Sequence, residues 1–233
     1  VAERRMARWA GWAHERNKPL FLSEVGTMAY GWEGRAAGPG SYQAGLKDAA
    51  LVVRGIVAGA DAFNRWSFIN RGDLDGQWQL VDTWDADQQK LRTRFTPHPN
   101  AYYLYGLLSR FTAKNSDVLH TSVEGTFPAG GRKLVATALR SPKGALTILL
   151  VNEAPDAVDA TISLEGLAGE TTLHRYTITE VESDRADVAV ASQRTFTVGE
   201  SRKTFADHIP RFSVSVYSGY KLSPESPGIT VER

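Results

Sequence analysis

The spacing of apolar residues changes near residue 115 and divides the chain into two parts. Before that point, segments with helical spacing alternate with short, continuously apolar segments. After it, short segments alternate between apolar and polar residues with period two, and turn signals separate them. A change of period along a chain is typical of a change of architecture. We therefore expect two domains, residues 1–115 and 116–233.

The first part predicts three helices and two strands. In chain order these are a helix over residues 1–16, a strand over 20–26, a helix capped by Ser41 and stopped by Gly59, a strand over 60–68, and a helix that opens at Asn100. One continuous apolar face marks the second helix, and it consists of Tyr42, Leu46, Ala49, Ala50, Val53, Ile56 and Val57. A long polar and aromatic loop, with Trp78 and Trp84, is expected between the second strand and the third helix.

The segment from Leu20 to Gly26 is apolar without alternation, which is typical of a parallel strand that is buried on both faces. Parallel strands need crossover helices, so the first part predicts a β/α architecture. Two such strands alone would leave open edges. A complete (β/α)8 barrel takes roughly 250 residues. The first part is therefore expected to be the C-terminal portion of such a TIM barrel.

The second part predicts about seven or eight short strands. Val214 and Val216 alternate with Ser213 and Ser215, whereas residues 145–151 are more continuously apolar and suit a central strand. Short alternating strands separated by turns predict an antiparallel β-sandwich. We find no catalytic constellation in this part of the sequence, so its expected role is structural.

Composition restricts the possible partners. The 233 residues are 42% hydrophobic and carry a net charge of +1, and the basic residues are scattered, so no nucleic-acid partner is expected. No apolar stretch is long enough to predict a membrane span. The absence of cysteine excludes disulfides, thiolate nucleophiles and cysteine-bound zinc. The histidines lack metal-ligand spacing, and no cofactor is implied.

Glu24 is the main candidate for chemistry. It lies at the end of the first predicted strand, and β/α barrels carry their active sites at the C-terminal ends of their strands. A carboxylate at this position is costly to bury without a partner or a function. Two interpretations stay open from the residues alone: a catalytic carboxylate, or a glutamate held in a structural ion pair.

The segment Lys18-Pro19-Leu20-Phe21-Leu22-Ser23-Glu24-Val25-Gly26-Thr27 resembles the seventh barrel strand of the clan A (cellulase-like) glycoside hydrolases. The segment Phe63-Asn64-Arg65-Trp66-Ser67-Phe68 is similar to the eighth strand of that clan, and Pro99-Asn100-Ala101-Tyr102-Tyr103 resembles the start of its last helix. The likeness covers most of residues 1–115, with the predicted sandwich as looser support.

The resemblance implies a retaining glycoside hydrolase that acts on β-linked glycans. It further implies that Glu24 is the nucleophile and that Trp66 forms the floor of the sugar subsite beside the cleaved bond. Such enzymes need a second carboxyl group about 5–5.5 Å away as general acid and base. In the clan this residue follows an asparagine at the end of the fourth strand, which is expected to precede Val1. The carboxylates nearest in sequence do not match that pattern, namely Asp61, Asp73, Asp75, Asp82, Asp85 and Asp87. The chain alone is therefore expected to be inactive.

Further candidates for substrate binding lie in the predicted loops. Tyr30 either donates a hydrogen bond to Glu24 or packs against Trp32. Trp32, Trp78 and Trp84 either extend a sugar-binding platform or pack within their loops. His98 either reaches the substrate or braces its loop.

The main alternative is a barrel protein that binds carbohydrate without cleaving it. Other chemistry on the same barrel and a purely structural or adhesive module also stay open, because fold alone does not set function. The expected partners are an oligo- or polysaccharide substrate and the N-terminal remainder of the barrel, with no nucleic acid and no membrane. A secreted or periplasmic location fits such a substrate, although no residue of the chain demonstrates it.

Overall fold

A computed structural model describes residues 2–26, 42–66, 68–69, 80–85, 87–125, 134–167, 169–180 and 190–222. The chain is a mixed α/β protein with many antiparallel strands. Its contacts divide it into two units, residues 1–105 with 180–188 and residues 106–179 with 189–233. The predicted identity of the two parts, a partial barrel and a β-sandwich, stays a prediction.

The first unit contains the three predicted helices, the last of which continues into the second unit, and both predicted strands. Its elements are α1 (Ala2–His14), β1 (Phe21–Val25), α2 (Tyr42–Val57), β2 (Ala62–Arg65), β3 (Val81–Asp85), β4 (Lys90–Pro97) and α3 (Pro99–Phe111). Asn17 follows α1 with φ 52° and Gly59 follows α2 with φ 92°. Both residues adopt the left-handed conformation that commonly ends a helix. Ser41, the predicted cap of α2, lies outside the described residues.

β1 and β2 pair in parallel, as the sequence predicts. Helix α2 packs on one face of this pair. A Cβ atom built on Gly55 of α2 would lie only 2.6 Å from the ring of Phe63 in β2, so the ring packs against the helix backbone. The glycine leaves room for this ring, because a Cβ atom at position 55 would force the ring of Phe63 to shift.

Three expectations for the first unit are wrong. β1 is not buried on both faces, because Phe21 on the face away from α2 is 62% exposed. Val57 is 51% exposed, since it is the last residue of α2. The predicted loop contains the antiparallel hairpin β3–β4, in which Leu91 and Phe95 are exposed. In β3, Val81 and Thr83 are buried, whereas the exposed Leu91 and Phe95 give β4 no buried apolar face among its described side chains.

The second unit contains eight described strands, in agreement with the predicted seven or eight. They are β5 (Asp117–Leu119), β6 (Leu134–Arg140), β7 (Leu146–Asn152), β8 (Val158–Ser163), β9 (Thr171–Ile178), β10 (Arg194–Val198), β11 (Thr204–Ile209) and β12 (Ser213–Ser218). One antiparallel sheet has the order β10-β9-β12-β7-β6-β5, and β11 pairs with β8 in a second sheet. β7 is central and fully buried, as its continuous apolar pattern predicts.

Residues of both sheets share one hydrophobic cluster. At its centre, the ring of Phe205 in β11 lies 4.3 Å from that of Phe196 in β10 and 5.4 Å from that of Tyr217 in β12. Aromatic pairs at these separations contribute about 0.5–1.5 kcal/mol beyond the area that they bury. The cluster therefore ties the two sheets together.

A buried acid lies beside this cluster. Asp207 of β11 accepts a hydrogen bond of 2.8 Å from the Tyr217 hydroxyl. Its carboxylate also lies 3.1 Å from Nε of Arg175 and 3.3 Å from Nη1 of Arg194. Burial raises the pKa of the Tyr217 hydroxyl, and the hydrogen bond to Asp207 raises it further. Asp207 is hydrogen-bonded or ion-paired to residues from three strands of the larger sheet, which favours a structural role for Asp207.

Candidate functional site

The carboxyl ends of β1 and β2 carry the two main predicted site residues. Glu24 is the fourth residue of β1, and Trp66 directly follows β2. The backbone N–H of Trp66 donates a hydrogen bond of 2.8 Å to the carbonyl oxygen of Val25. The parallel pairing therefore continues to the ends of both strands, and Glu24 and Trp66 lie at the same edge of the pair.

The pairing register gives the direction of these side chains. Val25 is the register partner of Arg65, and the pairing is irregular between Leu22 and Val25. Ser23 and Glu24 therefore lie opposite Asn64 alone, as in a β-bulge. Val25 and Arg65 are directed towards α2, where Val25 is buried and Arg65 pairs with a helix residue. Since side chains alternate along a strand, Asn64 lies on the opposite face of β2, and Glu24 lies opposite Asn64 at the bulge.

Glu24 and Trp66 are both accessible at these strand ends. Glu24 is exposed, and Trp66 is 47% exposed. The strand ends thus carry both a charged group and a flat apolar surface. Pyranose rings present C–H faces that pack on such surfaces, while a carboxylate can act on an atom of the bound sugar.

A buried ion pair lies beneath this edge, on the α2 side. Nε of Arg65 is 2.7 Å from Oδ2 of Asp48 in α2, and the two side chains are 3% and 4% exposed. Tyr105 of α3 is close enough for both charges to affect the pKa of its hydroxyl group. Burial raises the pKa of Tyr105, while the charge of Arg65 lowers it and that of Asp48 raises it. Arginine and carboxylate side chains are almost never fully buried unless they are paired.

The backbone after Glu24 rests directly on this ion pair. A Cβ atom built on Gly26 would lie 2.8 Å from the carbonyl oxygen of Trp66 and 3.2 Å from Nη1 of Arg65. The position consequently has no room for a side chain. Gly26 allows the end of β1 to approach both the end of β2 and the Arg65 guanidinium group.

A second exposed aromatic residue follows Trp66. Phe68 is 59% exposed, and its ring centroid is 6.5 Å from that of Tyr102 in α3. The carbonyl oxygen of Phe68 accepts hydrogen bonds of 3.0 Å from the N–H groups of Leu80 and Val81. The segment after β2 is thus tied to the start of β3.

Only His98 of the remaining predicted residues has a described side chain. Tyr30, Trp32 and Trp78 lie outside the described residues, as does the side chain of Trp84 in β3. His98 lies between β4 and α3, where its N–H donates to the carbonyl of Leu80. This backbone contact is compatible with the bracing interpretation of His98, and a role in substrate binding stays a prediction.

Asp61 belongs to the opposite edge of the strand pair. Its Oδ2 lies 2.8 Å from Nε2 of His14 and accepts a hydrogen bond of 2.7 Å from the N–H of Leu20. These contacts join the end of α1 to the starts of β1 and β2, which is a structural task.

Among the described residues, no group of three or more acidic or histidine side chains could hold a metal ion, and none of the helices is long and apolar enough to cross a membrane.

The buried pair of Asp48 and Arg65 was not predicted from the sequence. A signal was present, because Asp48 lies among the apolar residues of the buried face of α2, beside Ala49. Arg65 interrupts the second predicted strand in the same way. Opposite charges on the buried sides of two consecutive elements indicate an ion pair, although a sequence does not give their distance.

Comparison with known proteins shows similarity in fold. No protein-family model matches the chain, and no curated protein matches its sequence. Among solved structures, it is similar to a glycoside hydrolase family 30 subfamily 8 xylanase from Clostridium acetobutylicum, with a TM-score of 0.59 and 13% identity over 88% of this chain. In fold, the chain resembles part of a glycoside hydrolase.

Two further structures agree with this similarity. The catalytic domain of a family 30 xylanase from Talaromyces cellulolyticus gives a TM-score of 0.57 with 18% identity over 86% of this chain. An arabinose-bound family 51 α-L-arabinofuranosidase gives a TM-score of 0.56 with 18% identity over 93% of this chain. The chain spans 43%, 40% and 35% of the lengths of these three proteins. At these identities the likeness establishes the fold alone.

Proposed function

We propose that this chain is part of a retaining glycoside hydrolase that cleaves β-linked glycans by double displacement. Glu24 is the nucleophile, and Trp66 forms the floor of the sugar subsite beside the bond that is cleaved. A residue that precedes this chain supplies the general acid and base. The substrate is an oligo- or polysaccharide, and the activity requires neither metal nor organic cofactor.

The observation that carries the proposal is that Glu24 and Trp66 lie at the carboxyl ends of two paired parallel strands. Both side chains are accessible. Functional groups at the C-terminal ends of parallel strands are typical of active sites in β/α proteins. The similarity in fold to xylanases and an arabinofuranosidase supports a carbohydrate as the ligand.

In the first step, the Glu24 carboxylate attacks the anomeric carbon as the bond to the leaving oxygen breaks. The general acid donates its proton to that oxygen, and a glycosyl ester of Glu24 forms. In the second step, the same group removes a proton from water, which attacks the anomeric carbon and releases Glu24. The products are a sugar with retained configuration and a shortened glycan. Trp66 packs on the sugar ring and orients the anomeric carbon towards the carboxylate.

Covalent trapping tests this proposal. The full-length protein that contains this chain is treated with 2-fluoro-glycosyl reagents, including a xylosyl reagent, and its peptides are mapped by mass spectrometry. We expect one sugar on Glu24, no label in Glu24→Gln, and normal labelling in Glu15→Gln. Glu15 is a suitable control because it is also an exposed glutamate of the first unit.

Each alternative gives a different result. Label on another residue of an active enzyme would show that Glu24 is not the nucleophile. Binding of glycans without label or cleavage, together with loss of binding in Trp66→Ala, would support the carbohydrate-binding protein instead. The isolated 233-residue chain is expected to cleave none of these substrates, because it lacks the general acid.

A further inference from the structure

We infer that the buried pair of Asp48 and Arg65 is a positioning device that fixes Glu24 and Trp66 relative to each other. This inference rests on the proposed function and adds two residues to it that do not themselves touch the substrate. Asp48 belongs to α2, and Arg65 is the last residue of β2. The pair thus connects the crossover helix to the strand ends that carry the site.

The contacts run from α2 to both site residues. The Arg65 guanidinium group is anchored by Asp48 at 2.7 Å and lies directly beneath Gly26, two residues after Glu24. Arg65 also precedes Trp66, whose backbone is hydrogen-bonded to Val25. A shift of the guanidinium group would therefore move the end of β1 and the start of the Trp66 segment together.

Stability alone does not account for an ion pair at this position. Removing two charges from water costs several kcal/mol per ion, and well-packed apolar replacements are often neutral or even stabilising. An ion pair differs from apolar packing in its fixed direction, because the planar guanidinium group binds a carboxylate in few geometries. A site that attacks an anomeric carbon depends on such geometry, since misplacement by about 1 Å can lower a rate about 100-fold.

The opposite edge of the same strands provides a matched comparison. Asp61 and His14 also join a helix to β1 and β2, but their side chains are 41% and 47% exposed and lie at the starts of the strands. The distance along the strand from Asp61 to Arg65 is about 13 Å, at a rise of about 3.3 Å per residue. A disturbance there is not expected to reach Glu24.

The experiment compares stability with the rate of covalent labelling in the full-length protein. The double variant Asp48→Leu with Arg65→Met replaces the ion pair by apolar side chains. We expect its midpoint of urea unfolding to equal or exceed that of the parent. The rate constant for labelling of Glu24 by the 2-fluoro reagent should fall at least tenfold, and kcat should fall more than KM rises. Asp61→Asn should label at the parental rate.

Two single variants keep the test decisive if the double variant does not fold. Asp48→Asn keeps the size of the side chain and removes its charge, and Gly26→Ala pushes the end of β1 away from Arg65. Both are expected to slow labelling in folded protein. A parental labelling rate in any folded variant of the pair would overturn the inference and leave the proposed function intact. An unlabelled Glu24 in an active parent would overturn both.

Discussion

The buried acid of the second unit provides a sharp test of how its two sheets are held together. The change Tyr217→Phe removes the hydroxyl that donates to Asp207 over 2.8 Å and leaves the ring in place. Hydrogen bonds to charged groups contribute about 1.5–3 kcal/mol, so we expect the free energy of unfolding to fall by about that amount. Asp207→Ala leaves the largely buried Arg175 without this carboxylate. The free energy of unfolding is therefore expected to fall by about 3–5 kcal/mol.

The assay is urea unfolding of this chain, followed by far-ultraviolet circular dichroism. For a slope of about 2 kcal/mol per molar urea, the Tyr217→Phe loss lowers the midpoint by about 1 M. Tyr220→Phe is the control, since its hydroxyl has no hydrogen bond among the described contacts and its ring lies in the same unit. Parental stability of Tyr217→Phe at neutral pH would refute the reasoning, because the hydroxyl would then contribute nothing.

The same hydrogen bond predicts a pH dependence. Burial raises the pKa of Tyr217 in the folded protein above the ordinary value of about 10. Above that pH the unfolded chain loses the tyrosine proton and the folded chain keeps it, so stability falls as pH rises. We expect the stability difference between the parent and Tyr217→Phe to shrink above about pH 10, and a constant difference would contradict the assigned burial.

Four further substitutions test local packing, backbone conformation and charge, each by urea unfolding. Gly55→Ala should lower the free energy of unfolding by about 1–3 kcal/mol, because its Cβ would meet Phe63 at 2.6 Å. The control Gly11→Ala in α1 has open space and should raise it by about 0.5–1 kcal/mol. Equal effects of the two substitutions would contradict this packing. Gly144→Ala should cost about 1–2 kcal/mol because φ is 85°, and an unchanged midpoint would argue against that turn. Burial lowers the pKa of His174, so stability should fall as pH decreases below about 6.5. His174→Gln should weaken this pH dependence. An unchanged dependence of stability on pH in the variant would exclude His174 as its source.

Much of the local structure follows from the sequence. The helices are amphipathic, and Asn17 and Gly59 end two of them because they adopt positive φ readily. The continuous apolar pattern of β7 predicts its central, buried position correctly. Glu24 is placed at a strand end by the same local reasoning, because the short apolar segment ends there.

The sequence is less informative where a pattern depends on neighbours that are distant along the chain. An apolar segment such as Phe21–Val25 predicts burial on both faces, but exposure is decided by what packs on each face, and in the described part of the chain Val25 is buried while Phe21 is exposed. In the β3–β4 hairpin, Val81 is buried whereas Leu91 and Phe95 are exposed, so its apolar residues alone do not show which face is covered.

The sequence by itself determined the types of most elements and the identity of the candidate carboxylate. Only the tertiary structure brought Asp48, Arg65 and Gly26 together beneath Glu24 and Trp66. Helical period and strand alternation act over a few residues, so they can be recognised in a short segment. An ion pair between α2 and β2 depends on the crossover that folds the helix back onto the strand, and a distance of 2.7 Å between two charges exists only after that packing has formed.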